Sequence, residues 1–352
     1  MLNSLSIHNF RCIESAVLEL DARGTGIVGR NGAGKTSLLE AIYFLAHGRS
    51  FRTAQRVRLI GPRADLVRVV GSLELNGKSV TAGVEYSEGR TLARLGGESV
   101  SSISAIAEVL PVQVIDPGVH RLIEEGPARR RQLLDWGVFH VEHRFLDAWR
   151  RYQRALKQRN AALKVDPGQA LVWDAELDAS SMEIESYRLA YFTELAPEFG
   201  RLATELLGTP CALSYERGWP QGLTLKEALV RSWATDQRVK ATTVGPHRAD
   251  VVFHVNGELA RDRISRGQQK VVASAFVLAQ LMVAIPRLPH RPCLLLDDPA
   301  AELDVDSLGK ILRMIADIPA QLVVASLDSA GLRGIEIGRT FHVEQGRFAR
   351  MV

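Results

Sequence analysis

Residues 29–36 read G-R-N-G-A-G-K-T, and the spacing G-x-x-x-x-G-K-[ST] constrains the chain more than any other feature. Glycine is needed where backbone N–H groups must close around phosphate oxygens without side chains in the way. Gly29, Arg30, Asn31, Gly32, Ala33 and Gly34 would form that cradle. Lys35 would reach the terminal phosphates, the Thr36 hydroxyl would hold Mg²⁺, and Ser37 would open the following helix. Gly26-Ile27-Val28 reads as a strand end and Ser37–Leu45 as a helix, so the loop sits at a helix N-terminus, where an anion is favoured.

The length of 352 residues is enough for one to three domains with a large core. Lys and Arg number 44 against 40 Asp and Glu, a net charge of +4. That balance is too mild to demand a nucleic-acid partner by itself. Cys12, Cys211 and Cys293 are isolated, with no C-x-x-C pair, so neither a zinc site nor a disulfide framework is indicated and a reducing cytoplasm is expected. The N-terminus lacks a signal-like segment, and no run of about 18 apolar residues appears, so no membrane span is expected.

Along the chain, Leu2–Ile7 and Ala16–Leu20 read as a hairpin. Strands are predicted at Leu66–Leu75, Ser79–Tyr86 and Arg90–Leu95, with Asn76-Gly77 and Glu88-Gly89 as the turns between them. The pattern becomes helical from Pro111 to about Pro197. Phe145, Trp149, Tyr152 and Leu156 form an apolar stripe facing a second helix, Trp173–Leu195, across the break Asp166-Pro167-Gly168. Strands follow at Ala212–Tyr215 and Asp250–Asn256, with a helix at Leu225–Thr235 between them. Cys293–Leu296 and Leu322–Ala325 are continuous apolar runs of the kind that buried parallel strands show. The nucleotide domain is therefore expected to be split around a helical insert: residues 1–112 its first half, 113–240 a mainly helical lobe with an arm, and 241–352 its second half.

Cys293–Leu296 runs into Asp297-Asp298. An Asp ending a strand beside a phosphate loop holds Mg²⁺ through its waters, and the next carboxylate can polarise an attacking water. Asp297 is the expected metal residue and Asp298 the water-side residue.

Ile264-Ser265-Arg266-Gly267-Gln268-Gln269-Lys270 precedes a long apolar helix, Val271–Val283. It resembles the signature motif of the ABC ATPase superfamily, in which a serine, a glycine and a helix N-terminus bind the γ-phosphate held by an opposite subunit. Ser265 suits an N-cap, and Ser265, Arg266, Gly267 and Gln268 are the expected contacts. Ala301-Glu302-Leu303-Asp304 matches the loop that crosses the dimer interface in that superfamily, which implicates Asp304. The interval from Thr36 to Ser265 resembles neither transporter ATPases nor the long coiled-coil insertions of chromosome-organising relatives.

Several stretches resemble the RecF family: L-S-I-H-N-F-R at 5–11, G-R-S-F-R at 48–52, G-P-A-R-R-R at 126–131, L-D-W-G-V-F-H-V-E at 134–142, G-P-H-R-A-D at 245–250, S-R-G-Q at 265–268 and F-H-V-E-Q-G at 341–346. The resemblance covers nearly the whole chain, in the family's order. It implies an α/β, ABC-type P-loop ATPase head with split, mixed sheets and an inserted mainly α-helical lobe. It further implies an ATP-dependent homodimer that clamps DNA where duplex meets single strand. The cofactors implied are ATP and Mg²⁺, with weak hydrolysis to ADP and phosphate, and the expected partners are the mediators RecR and RecO.

Departures from the broader superfamily are informative. Asp298 stands where transporter ATPases carry Glu, and a shorter acid holds water less well. Ser326 stands where they place a switch His; it can hydrogen-bond a γ-phosphate but is no strong base. Gln113 is the candidate for a glutamine loop by location alone. Arg11 is a phosphate contact by resemblance, with Arg49 and Arg52 weaker candidates of the same kind, while His247 and Arg248 suit either the ATP site or a salt-bridged core turn. Arg129, Arg130 and Arg131, with Arg150, Arg154 and Lys157 at i, i+4 and i+7, are the candidate contacts to DNA phosphates. Two rival readings stay open: the ATP subunit of a transporter, and a scaffold that binds ATP without turning it over.

Overall fold

The N-terminal hairpin runs as β1, Leu2–Phe10, and β2, Ile13–Glu19. β3, Gly24–Val28, feeds the glycine loop, and α1, Lys35–His47, leaves it. β4 (Leu66–Leu75), β5 (Lys78–Ser87) and β6 (Arg90–Leu95) form a meander. Both central residues of each two-residue turn have positive φ, 51° and 74° at Asn76-Gly77 and 48° and 78° at Glu88-Gly89. That is the turn twist that antiparallel strands accept best. β7 (Glu98–Val100), α2 (Ser104–Val109) and β8 (Val112–Ile115) follow. The middle of the chain holds α3 (Arg121–Glu124), α4 (Pro127–Val141), α5 (Phe145–Val165), α6 (Asp174–Leu207), β9 (Cys211–Glu216), α7 (Leu225–Val239), β10 (Asp250–Val255), β11 (Glu258–Leu259), α8 (Ala260–Arg263) and α9 (Arg266–Ala284). The chain ends in β12 (Cys293–Asp297), α10 (Val305–Ala316), β13 (Gln321–Ser326), β14 (Arg339–Glu344) and β15 (Arg347–Arg350).

This is a computed structural model, and it describes residues 1–301 and 303–351. Two compact units result: Met1–Val119 with Leu288–Val352, and His120–Arg287. The first unit is therefore discontinuous in sequence. Residues 241–287, expected with the second half of the head, lie in the second unit.

The first unit has two six-stranded sheets. One is antiparallel, in the order β2-β1-β4-β5-β6-β7. The other runs β15-β14-β3-β13-β12-β8, parallel except for its edge strand β15. α1 touches strands of both sheets. Leu38, Leu39, Ile42, Phe44 and Leu45 of α1 are wholly buried, each worth roughly 1.5–3 kcal/mol of burial. Helix α1 is thereby clamped on two sides, which fixes the direction in which its N-terminus points.

The second unit is built on α6, a helix of 34 residues packed against α4, α5, α7 and α9. Tyr152 and Leu156 of the expected stripe on α5 are buried at this contact. Pro197 lies inside α6, so the helix passes the point where its sequence suggested an end. β9, β10 and β11 make a small antiparallel sheet. The stretch Arg266–Arg287 has a mean hydropathy of 1.5, long and apolar enough to cross a membrane, which corrects the expectation that no such run exists. Most of its apolar window, 83%, is buried within the protein, as in a core helix.

Candidate nucleotide-binding site

Gly29–Thr36 forms the turn from β3 into α1. Gly32 and Gly34 hold φ of +78° and +118°, a backbone state that side chains other than glycine resist. A Cβ at Gly29 would collide with the Val343 carbonyl of β14, so this glycine serves close approach. Gly34 is the N-cap of α1 and offers no side chain, which leaves the first N–H groups of the helix open to an anion. Lys35 is 6% exposed; its ammonium donates to the Gly29 carbonyl at 2.7 Å and the Arg30 carbonyl at 3.1 Å. Arg30, Asn31 and Gly32 are exposed along the outer lip, Ala33 and Ser37 are buried beneath it, and the Cys12 thiol lies 3.6 Å from the Ser37 hydroxyl.

The Thr36 hydroxyl donates to Asp297 Oδ1 at 2.9 Å, joining residues 261 positions apart. Asp297 ends β12 and is 7% exposed. Burial pushes its carboxyl up to about 6, reinforced by Asp116 and Asp298 and opposed by Thr36 and Arg52. Asp298 turns out of the strand with φ of 49°, a strained state for a non-glycine residue, and its N–H donates to the Ala325 carbonyl at 2.9 Å. Lys35, Thr36, Arg52, Asp297 and Asp298 line one cleft of about 220 Å³.

Hard oxygen donors suit Mg²⁺, and a divalent cation would offset this concentration of carboxylates. Among the described residues no cluster of three or more His, Cys, Asp or Glu side chains could hold a metal by itself. A cation held by Thr36 and Asp297 therefore needs further oxygens from a phosphate or water.

Other expected residues lie elsewhere. Ser326 ends β13, 2% exposed, with its carbonyl accepting from the Gly29 N–H at 3.3 Å; its hydroxyl packs under Gly331, outside the cleft lining. Gln113 is buried on β8 with its side-chain N–H₂ unpaired, also outside the cleft lining. Ser265 caps α9 in a reciprocal box: its hydroxyl accepts from the Gln268 N–H and the Gln268 side chain accepts from the Ser265 N–H. Ser265, Arg266 and Gln268 are exposed, and Arg266 pairs with Glu124 at 3.4 Å. Asp304 caps α10 through the Ser307 N–H at 2.8 Å. Glu302 lies outside the described residues.

Arg11 forms a two-pronged ion pair with Glu40, at 2.8 Å and 2.7 Å. Glu40 is a fully buried carboxylate on α1 that also accepts from the Ser50 hydroxyl and lies 3.8 Å from Arg52. Sequence reading missed Glu40, although a lone acid in an otherwise apolar stretch of helix was a visible signal. Asp116, one residue beyond β8 and beside the end of β12, was missed as well.

Arg130 is corrected. It is buried, pairs with both oxygens of Asp250 at 2.7 Å and 2.9 Å, and donates to the Leu122 and Glu125 carbonyls, so four of its five N–H donors and its charge are engaged inside the protein. Arg131 is half-buried and donates to the Ala249 carbonyl at 2.7 Å, and Arg129 pairs with Glu125 at 3.2 Å. Arg150, Arg154 and Lys157 are exposed along α5; Arg150 lies 3.6 Å from Asp147, and Arg154 and Lys157 have no ion pair among the described residues. His247 accepts from the Tyr152 hydroxyl at 2.6 Å and donates to the Thr242 carbonyl at 3.0 Å. Burial holds its pKa down at about 4, so it is a neutral core group, while Arg248 beside it is exposed.

Residues 1–347 match the family described as the RecF/RecN/SMC N terminal domain. The DNA replication and repair protein RecF of Pseudomonas putida (strain GB-1) is 40% identical over 336 residues, 92% of this chain and 91% of that protein. The chain belongs to the RecF family. The RecF of Pseudomonas fluorescens is 38% identical over 99% of this chain and 98% of its own length. A solved recombination mediator RecF with ATP aligns over 100% of this chain and 97% of its own, with a TM-score of 0.90 at 24% identity. An Smc head bound to the C-winged helix domain of ScpA aligns over 99% of this chain and 97% of its own, with a TM-score of 0.61 at 17% identity, a likeness of fold alone.

Proposed function

We propose that this RecF-family chain binds ATP with Mg²⁺ in the cleft of its first unit and acts on DNA in replication and repair. The bond from Thr36 to Asp297 carries the reading, because it ties the glycine loop to an acidic strand end around one cleft. The relatives' names and the ATP and ATPrS of solved RecF structures support it. Lys35, the open N–H groups of α1 and Thr36 would hold the phosphates, Thr36 and Asp297 the cation, and Asp298 a water. ATP supplies a phosphoanhydride whose slow hydrolysis would time release.

On this reading two copies close on gapped or junction DNA, each Ser265 end of α9 meeting the nucleotide of the other copy, with RecR and RecO as partners in loading recombinase. A mixing experiment tests the shared site. Lys35→Ala and Ser265→Arg proteins should each fail to dimerise with ATP in sedimentation. Mixed, they should recover part of the dimer, since one intact composite site remains. Normal ATP-dependent dimers of either variant alone would sink the composite site.

A further inference from the structure

The second unit carries a pocket that the nucleotide reading does not use. It has a volume of about 530 Å³ and lies between α6 and the loop leaving β9. Leu189, Tyr215, Glu216, Arg217 and Trp219 form its walls together with Glu185. Glu185 is 8% exposed and accepts from the Tyr215 hydroxyl at 2.9 Å through Oε2; its other oxygen, Oε1, has no partner among the described residues. That oxygen is not among the enclosed unpaired atoms of the described residues, so it opens to solvent where a donor can reach it. Burial pushes the pKa of this carboxyl up. Glu216 is exposed on the rim with no ion pair among the described residues.

Arg217, the one cation among the described lining residues, forms no ion pair with either carboxylate. Arg217 lies over the Trp219 ring, 4.5 Å from its centroid, and donates to the carbonyls of Trp219, Pro220 and Leu223. Leu189, 46% exposed, and the Trp219 and Tyr215 rings supply an apolar wall. Two carboxylates over an apolar, aromatic wall suit a side chain with a long apolar stem and a cationic head. With Arg217 counted, the lining still carries one net negative charge, which disfavours a phosphate backbone.

We infer that this pocket receives an arginine side chain presented by a protein partner, with the guanidinium donating to Glu185 and Glu216. Arginine fits better than lysine because its planar fork can address two carboxylates and stack on an aromatic face at once. The pocket is independent of the ATP cleft.

N-acetyl-argininamide is the probe, titrated into the full chain while tryptophan fluorescence is followed; N-acetyl-citrullinamide, an uncharged isostere, is the control. Saturable binding is expected for the arginine compound, with a dissociation constant on the order of a millimolar for a ligand so small. At least a tenfold weaker response is expected from citrulline and from Glu185→Gln, and Trp219→Phe should remove the signal. If Glu185→Gln loses its cooperative thermal transition, Glu216→Gln carries the test, with several-fold weakening expected. Equal binding of arginine and citrulline, unchanged affinity in the folded Glu variants, or preferential saturation by a thymidine dinucleotide would overturn the assignment.

Discussion

Asp297 shows what a single residue contributes and costs. Its carboxyl titrates at about 6 in the fold and at an ordinary value near 3.8 in the unfolded chain, so folding disfavours the charged form. The sign follows: the cost is absent below about pH 4, grows as pH rises, and is complete above about pH 6, at about 3 kcal/mol. Asp297→Asn keeps an acceptor for Thr36 and removes the charge. Without nucleotide it should melt several degrees above the parent at pH 8 and match it near pH 4. The same variant should bind Mg²⁺ and ATP more weakly at pH 8. A melting gap independent of pH would show that the buried charge is not its cause. Gly29–Thr36 and Asp297-Asp298 were legible because backbone closure and metal ligation demand those residue types at those spacings. Glu40 and Asp116 were not, since their roles depend on neighbours far away in sequence. Arg130 misled because a run of arginines looks the same whether it meets solvent or Asp250.

At the scale of elements, β4 and β6 were readable to the residue because their turns need positive φ and carry glycine. The full length of α6 was not readable. Proline removes one N–H and crowds the preceding turn, but burial of Leu195, Phe199 and Leu202 against neighbouring helices outweighs that loss at Pro197. The β14–β15 hairpin escaped detection because its strands are short and half polar, and its place beside β3 is a long-range fact. Helix α4 offers a test of close helix approach. A Cβ at Gly137 would overlap the ring and hydroxyl of Tyr191, which is 2% exposed on α6. Gly137→Ala should cost about 2–3 kcal/mol in urea unfolding, in line with overfilling a packed core. Adding Tyr191→Leu should recover much of the loss. If the single substitution is neutral, the two helices have room to part.

For the whole molecule, the DNA reading rests on charge that is free to act. Arg154 and Lys157 are exposed without ion pairs among the described residues, whereas Arg130 is spent. Arg154→Glu with Lys157→Glu should weaken binding to gapped DNA at low salt and flatten its salt dependence, equally across sequences, because phosphates carry no sequence. Nucleotide binding in the first unit should be untouched. An unchanged salt slope would remove α5 from the DNA surface. The division of the chain has one more consequence. The glycine loop is closed by late strands: the Val343 carbonyl limits Gly29 to glycine, and the Gly346 N–H donates to the Ala33 carbonyl at 2.8 Å. At about 5–20 residues per second of synthesis, a ribosome makes the loop well before the strand that closes it. A nascent chain thus carries the whole glycine motif before it has the strand that shapes it, and a product truncated ahead of β14 keeps the motif without that support.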